Sequence, residues 1–361
     1  MKVEKSDSGS ILIISLWVLG ILSVLAVGIA FRLSLELRLS KYFMDKIEAE
    51  YLAKAGIFRA LERIPKDYNG FDSMAQCGVQ LKPEETLEGL FDKVPLGEGF
   101  FSVGDDGVSG HRVGIADEDG KININRAGQT VLAALLESAG GVGDESKAWE
   151  MAGNIMDWRD PDHASLAQNG SEGDYYENLP HPYVWADRDA GPVLNKDFRS
   201  LEELLLVKDM TPEIFNKIKN DITIFGNDVP IKVNINTAPK EVLAAMAMSV
   251  RIPAAESADI AGRIFDERSG EDRQDGTPDD RPFLEQDLQP NGRLDNAISR
   301  LSALNEARLD PNFKKFFKTY SLYYRIEAKG KINGSKAAAK LTVIVKKDPE
   351  GKLTFVYYHE D

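Results

Sequence analysis

Residues 9–31 read GSILIISLWVLGILSVLAVGIAF, and this stretch decides the architecture. From Ile11 to Phe31 the only polar breaks are Ser15 and Ser23, with glycines at Gly20 and Gly28. About 20 apolar residues cross the hydrocarbon core of a bilayer as a helix. A secretory signal has a basic start, a short apolar run and small residues after that run. Here the small residues, Gly9 and Ser10, come first. Cleavage between them would leave the apolar helix at the start of the mature chain. The sequence therefore predicts a leader over 1–9 and a helix over 10–64, with 11–31 in the membrane. Past the membrane no glycine or proline interrupts before Gly56 and Pro65. Met44, Ile47, Tyr51, Ala55 and Phe58 recur at the spacing of one helical face. At 1.5 Å per residue the rod would be roughly 80 Å long, half in lipid and half packed on a globular head.

Working outward from the helix, strand signals appear at Phe100–Val103, Arg112–Ala116 and Lys121–Asn125. Turn chemistry at Asp105–Gly107 and Glu118–Gly120 separates them, and a short helix is predicted over Glu84–Lys93. The far end is again β: Tyr320–Ile332, a hairpin turn at Asn333–Gly334, Ala337–Lys347, then Leu353–Tyr358. The class is α+β. A long N-terminal helix packs on a small antiparallel sheet built from 65–125 and 303–361, and a helical insertion over 126–302 splits that sheet.

The insertion contains a repeat. KININRAGQTVLAALL begins at Lys121, and KVNINTAPKEVLAAMA begins at Lys232, 111 residues later. AGNIMDWR (152–159) follows the first and AGRIFDER (261–268) the second. Each copy lays out a short strand ending in Asn-x-Asn, a helix, a linker, and a second helix ending in Asp-x-Arg. Asn125 and Asn236, or the residue after each, suit helix N-caps.

At 361 residues and a net charge of −14, the chain can bury a sizeable core and is strongly acidic. Residues 121–300 carry 19 Lys and Arg against 32 Asp and Glu. Such a surface repels phosphate backbones and suits a divalent cation or a basic protein. Cys77 is the only cysteine, which excludes an intrachain disulfide framework and a thiolate metal set. Lys2 and Lys5 before the span roughly balance Arg32, Arg38 and Lys41 after it, so flanking charge does not orient it.

The richest polar cluster follows the first copy: Asp157, Asp160, Asp162, His163, Asn169, Glu172, Asp174 and Glu177. Asp-Pro-Asp at 160–162 and the glycine-rich run 169–174 mark loop. A hard cation such as Ca²⁺ takes six to eight oxygens from flexible backbone, and this loop offers carboxylates and carbonyls in surplus. Asp157, Asp160, Asp162, Glu172 and Asp174 are the candidate metal ligands, although EF-hand spacing is absent. A second acidic loop, Glu271–Asp280, reads as a solvated turn. No catalytic set is legible. The four histidines lack paired metal spacing, no serine sits in a G-x-S-x-G elbow, and no phosphate-cradling glycine loop is present. Trp158, Tyr175, Tyr176, Tyr183 and Trp185 crowd the first acidic loop, where packing explains them better than a binding site.

The small residues ahead of the apolar helix resemble the leader of type IV pilins and type II secretion pseudopilins. Together with AEYLAKAGIFRAL from Ala49, KININRA from Lys121, DWRDPD from Asp157, GDYYENLPHPY from Gly173, SLEELLLV from Ser200, NINTAPKEVL from Asn234 and FFKTYSLYYRIEAKG from Phe316, the chain resembles the general secretion pathway protein K family. That resemblance spans nearly the whole sequence. It implies a minor pseudopilin with a pilin-like head, a large helical insertion and bound calcium, and no enzymatic role. Such a protein sits at the tip of the periplasmic pseudopilus, anchored in the inner membrane with its bulk in the periplasm. The implied partners are minor pseudopilins I and J, with H a further candidate, and prepilin peptidase, which cuts between Gly9 and Ser10 and methylates Ser10. Counting from Ser10, the fifth mature residue is Ile14, where most pilins carry Glu. That carboxylate would neutralise a neighbouring subunit's terminal amine in lipid. A subunit with nothing above it has no such amine to meet.

Two other functions compete. Asn-x-Asn before a helix, with Gly140–Gly141–Val142–Gly143 before the next, also resembles helix-hairpin-helix modules of membrane-anchored DNA-binding proteins in DNA uptake. The acidic charge and the missing G-x-G in the second copy speak against nucleic acid. A membrane-anchored metal-dependent hydrolase would need a metal site with an open water position.

Overall fold

The computed structural model describes residues 8–67, 69–107, 110–160, 165–166, 175–176, 178–179, 196–226, 229–299 and 313–360. One helix, α1 (Ser8–Arg63), runs unbroken through the apolar stretch and into the head. From Ile11 to Phe31 its large side chains are all exposed, and its most apolar window has mean hydropathy 2.7, enough in length and composition to cross a membrane. The packed half uses a different face from the one the apolar spacing suggested. Ala49, Leu52, Ala53, Ile57, Ala60 and Ile64 are buried, whereas Met44, Ile47, Tyr51 and Phe58 are exposed. The reason is steric. Alanines and Gly56 let the helix axis approach the sheet closely, and the bulky side chains are left facing outward.

Thr86 caps the short helix α2 (Leu87–Phe91) by accepting from Gly89 N, and Lys93 at φ 47° ends it. The predicted helix over Glu84–Lys93 is thus shortened at both ends. Four strands follow: β1 (Val94–Leu96), β2 (Gly99–Gly107), β3 (Gly110–Val113) and β4 (Ala116–Asp117). The chain then leaves the sheet. The first copy of the repeat supplies β5 (Ile122–Asn123), α3 (Gln129–Ser138) and α4 (Glu145–Arg159), and later α5 (Pro212–Ile218) and β6 (Ile222–Thr223). The second supplies β7 (Val233–Asn234), α6 (Lys240–Ser249), α7 (Ala254–Arg268), α8 (Arg293–Ser299) and β8 (Phe317–Lys318). The head resumes with β9 (Tyr323–Ile332), β10 (Ala338–Lys347) and β11 (Leu353–Glu360).

The head sheet is antiparallel in the order β1-β2-β9-β10-β11, with β3 on β2 and β4 on β9. Its helix-side residues Val103, Ile326, Ala328, Leu341, Val343 and Val345 form one core with α1. Lys121–Asn125 is not a strand of this sheet. Ile122 N and Ile124 N donate to Asp221 O and Thr223 O at 2.8 and 2.9 Å, which makes β5 a parallel partner of β6. β7 pairs with β8 in the same parallel manner. A second, larger core runs from Ile122 to Phe317, beyond the 126–302 span expected from sequence.

Candidate functional site

The duplication extends to side-chain bonding. In the first copy Asn123 Oδ1 accepts from Asn125 N at 2.8 Å, and in the second Asn234 Oδ1 accepts from Asn236 N at 3.0 Å. Asn125 Nδ2 donates to Phe198 O at 3.0 Å while its Oδ1 accepts from Phe198 N at 2.8 Å. Asn236 clamps Phe283 in the same two-point way, at 2.9 and 2.6 Å. The arginine ending each second helix returns to the same turn. Arg159 donates to the carbonyls of Ile124 and Ala127, and Arg268 to those of Ile235 and Ala238 at 2.7 and 2.8 Å. These arginines escaped the sequence reading, although the repeated Asp-x-Arg was their signal. Asn125 and Asn236 are not helix caps. Gly128 and Pro239 hold those positions, and the asparagine side chains are committed to distant loop backbone.

The second copy is tied to the head by buried hydrogen bonds. Asn234 Nδ2, fully buried, donates to Asp72 O at 3.0 Å, Asp117 Oδ2 at 2.9 Å and Ser321 Oγ at 2.9 Å. Asp119 O accepts from Asn234 N at 2.8 Å, and the Asp119 carboxylate faces Lys318 Nζ at 3.2 Å. Asp72 accepts from Gly78 N at 2.7 Å, Ser321 N at 2.8 Å and the Tyr324 hydroxyl at 3.0 Å. Glu118 sits between Lys121 and Arg325. The joint between head and insertion is therefore a buried acidic network, and nothing in the sequence linked these residues.

This network titrates. Burial, reinforced by Asp117, pushes Asp72 up to about 7. Burial likewise lifts Asp119 to about 6 and, in the first copy, Asp221 to about 7. Burial would raise Glu118 too, but Lys121 and Arg325 hold it down to about 2. An acid whose folded pKa is raised binds its proton more tightly when folded. Its stabilisation is complete below the unfolded value and is lost as pH rises through the folded one. Glu118 acts oppositely, losing its contribution only as pH falls towards 2. The melting temperature measured in chelator should therefore drop by roughly 3–6 °C between pH 5 and pH 7.5. A flat or rising profile over that window would show that the buried carboxylates are neutralised in another way.

At the first acidic loop, Asp157 is buried at the end of α4. Its Oδ2 accepts from Ser165 Oγ at 2.8 Å and its Oδ1 from Leu166 N at 2.9 Å. Asp160 is the C-cap residue of α4, its N–H donating to Met156 O. Asp162, Glu172 and Asp174 lie outside the described residues. Trp158, Tyr176 and Phe198 are core, with Trp158 stacked on Phe198 at 6.1 Å and edge-on to Tyr176 at 5.0 Å. The second loop is built more tightly than a solvated turn. Asp279 accepts from Glu271 N, Asp272 N and Thr277 Oγ1, and Asp280 Oδ2 accepts from Gly276 N at 2.8 Å. Asp280 Oδ1 is buried with no hydrogen-bond partner, and burial raises this acid to about 6. An orphaned carboxylate oxygen of this kind fits a hard cation. Among the described residues, however, no three His, Cys, Asp or Glu side chains converge on one point.

Gly9 and Ser10 lie within the first turn of α1, and Ile14 is exposed on the apolar half. The turn between α3 and α4 uses Gly141 at φ 73°. Asp144 accepts from Ser146 N and Lys147 N at the start of α4, so a carboxylate occupies the amides a DNA phosphate would need.

A profile of the family described as Type II secretion system (T2SS), protein K, matches residues 114–227. The type II secretion system protein K of Aeromonas hydrophila is 23% identical over 248 residues, covering 66% of this chain and 69% of that one. Both matches point to type II secretion system protein K as the family this chain is similar to. A chain of the GspK-GspI-GspJ complex from enterotoxigenic Escherichia coli has a similar fold. It superposes with TM-score 0.55 at 13% identity, over 91% of this chain and 99% of that one. The profile match spans β5, α3, α4, α5 and β6, the first copy of the repeat. The second copy, outside the profile match, repeats the helix lengths of the first, 10 and 15 residues in each.

Proposed function

We propose that this chain is a minor pseudopilin at the tip of the type II secretion pseudopilus. There it helps to initiate assembly and limits the filament during protein export across the outer membrane. Its role is structural rather than catalytic, with α1 in the inner membrane and the head in the periplasm. The observation that carries this reading is the bulk of the insertion. It emerges between β4 and β9 of an otherwise small helix-on-sheet head, as an obstacle to a further subunit stacked above. Ile14 supports it, because a subunit with nothing above it has no terminal amine to neutralise. The related complex of GspK with GspI and GspJ suggests pseudopilins I and J as partners, with H as a further candidate. Prepilin peptidase would cut between Gly9 and Ser10 and methylate Ser10. Membrane-extracted protein should then have an intact mass beginning at N-methylated Ser10 and should purify in stoichiometric complex with I and J. A chain still starting at Met1, a homopolymer, or DNA binding without either partner would overturn the assignment.

We also propose a structural Ca²⁺ in the first acidic loop, with Asp157, Asp160, Asp162, Glu172 and Asp174 as ligands. The partnerless oxygen of Asp280 makes the second loop the rival location. Calcium at a hundredfold excess over its Kd would stabilise the fold by about 2.7 kcal/mol. Calorimetry of 32–361 should show a melting temperature raised by calcium and lowered by chelator. Asp160→Ala with Asp162→Ala should abolish that shift. A shift that survives the pair but disappears in Asp280→Asn would place the ion in the second loop instead.

A further inference from the structure

We propose that β11 is an open docking edge that receives an extended strand from a neighbouring pseudopilin head, so that the sheet continues across the two subunits. The inference rests on the tip reading above for the class of partner, and on the edge itself for the mode of contact. β11 ends the sheet, and among the described residues no strand pairs with its outer side. Such an edge presents a row of backbone donors and acceptors to any chain that can lie beside it. Exposed edges are ordinarily blunted by lysine or proline, yet Leu353–Glu360 reads LTFVYYHE and contains neither. Phe355 and Tyr358 are 58% and 53% exposed.

The surroundings favour a strand over a helix. Phe355 and Tyr358 stand opposite Val345 and Val343, whose side chains face α1, so both aromatics lie on the helix side of the sheet. That side continues onto the uncovered face of α1. Glu50 pairs with Lys54, whose ammonium also interacts electrostatically with Tyr358 and Glu360 on β11. Ile47, Tyr51 and Phe58 share this face with Lys54 at helical spacing, and Tyr51 and Phe58 are 66% and 68% exposed. On the opposite side Phe225 of the insertion packs edge-on to Tyr357 at 6.1 Å. A strand laid beside β11, about 4.8 Å away, would set its helix-side residues over Tyr51 and Phe58 and its other residues next to Phe225. It would satisfy the open backbone as well as the apolar ledge. A helix could cover only the ledge. The bulge opposite Ile344/Val345 leaves Tyr357–Glu360 as the regular half of the edge for this pairing.

Hydrogen exchange on the full chain in detergent, alone and with pseudopilins I and J, tests the idea. Outward amides in Phe355–Glu360 should exchange at least tenfold more slowly in the complex. Phe355→Lys with Tyr358→Lys should keep the melting temperature of the chain while weakening the complex at least tenfold. A complex that forms with β11 exchange unchanged, or with protection confined to α1, overturns strand addition and leaves the tip role standing. Protection of β11 in the chain alone would mean that a second copy fills the edge, which also overturns it. Absence of any complex would refute the tip reading itself.

Discussion

Alanine at Gly330 is expected to force α1 off the head sheet. A Cβ at this position of β9 would stand 1.9 Å from Ala49 O and 2.6 Å from Ala53 N, both backbone atoms of α1. Neither can rotate aside, so relief requires moving the helix away from the sheet. That movement would open the core shared by Leu52, Ala53, Ile57, Ile326 and Ala328. The cost should be roughly 2–4 kcal/mol, at the upper end for overpacking. Gly262 in α7 is the control. A Cβ there meets nothing within 4 Å, so Gly262→Ala should stabilise by up to about 1 kcal/mol through helix propensity. Urea unfolding of the two variants decides, and equal midpoints would refute the close-approach argument.

The second large effect is expected at Asn234. Asn234→Ala removes one side chain from four bonds, strands the buried acceptor Asp72 O at the joint and leaves Asp117 Oδ2 with only the Thr237 hydroxyl. Unmade buried bonds cost more than made ones contribute, so a loss of roughly 3 kcal/mol is expected. The equivalent change in the first copy, Asn123→Ala, should cost only about 1 kcal/mol. Asn123 Nδ2 donates to Phe225 O and Gly226 O, in a loop that can reach water. The asymmetry separates a joint from a mere repeat. If both variants lose equal stability, Asn234 is no more than a copy of Asn123.

Several elements were legible before any coordinates because their cause is local. An apolar run without breakers has one way to satisfy its backbone in lipid, so α1 could be placed from the letters alone. The Asn333–Gly334 turn between alternating apolar runs specified the hairpin of β9 and β10. Ordered matches between the two copies announced two like units, and the helices indeed have equal lengths. For the candidate site, Asp157 and Asp160 could be singled out from sequence. The better-built oxygen at Asp280 lay in the loop read as a solvated turn, because its burial comes from the fold around it.

What the sequence by itself determined was the long apolar N-terminal helix, the α+β class, the interruption of the head and the internal repeat. Each is written in periodicity, turn chemistry or self-similarity within a short window. Only the tertiary structure decided which face of α1 is buried. Alanine and glycine look weakly apolar in a pattern, yet they win the contact because a sheet needs a close neighbour. It also decided that Lys121–Asn125 pairs in parallel with Ile222–Thr223 rather than joining the head, since a two-residue strand carries no address for a partner 100 residues away. The same reason hid Asp72, Asp119, Asn234 and Lys318 from the sequence. A buried polar joint is defined by mutual hydrogen bonds between distant segments, and those bonds exist only once both cores have formed.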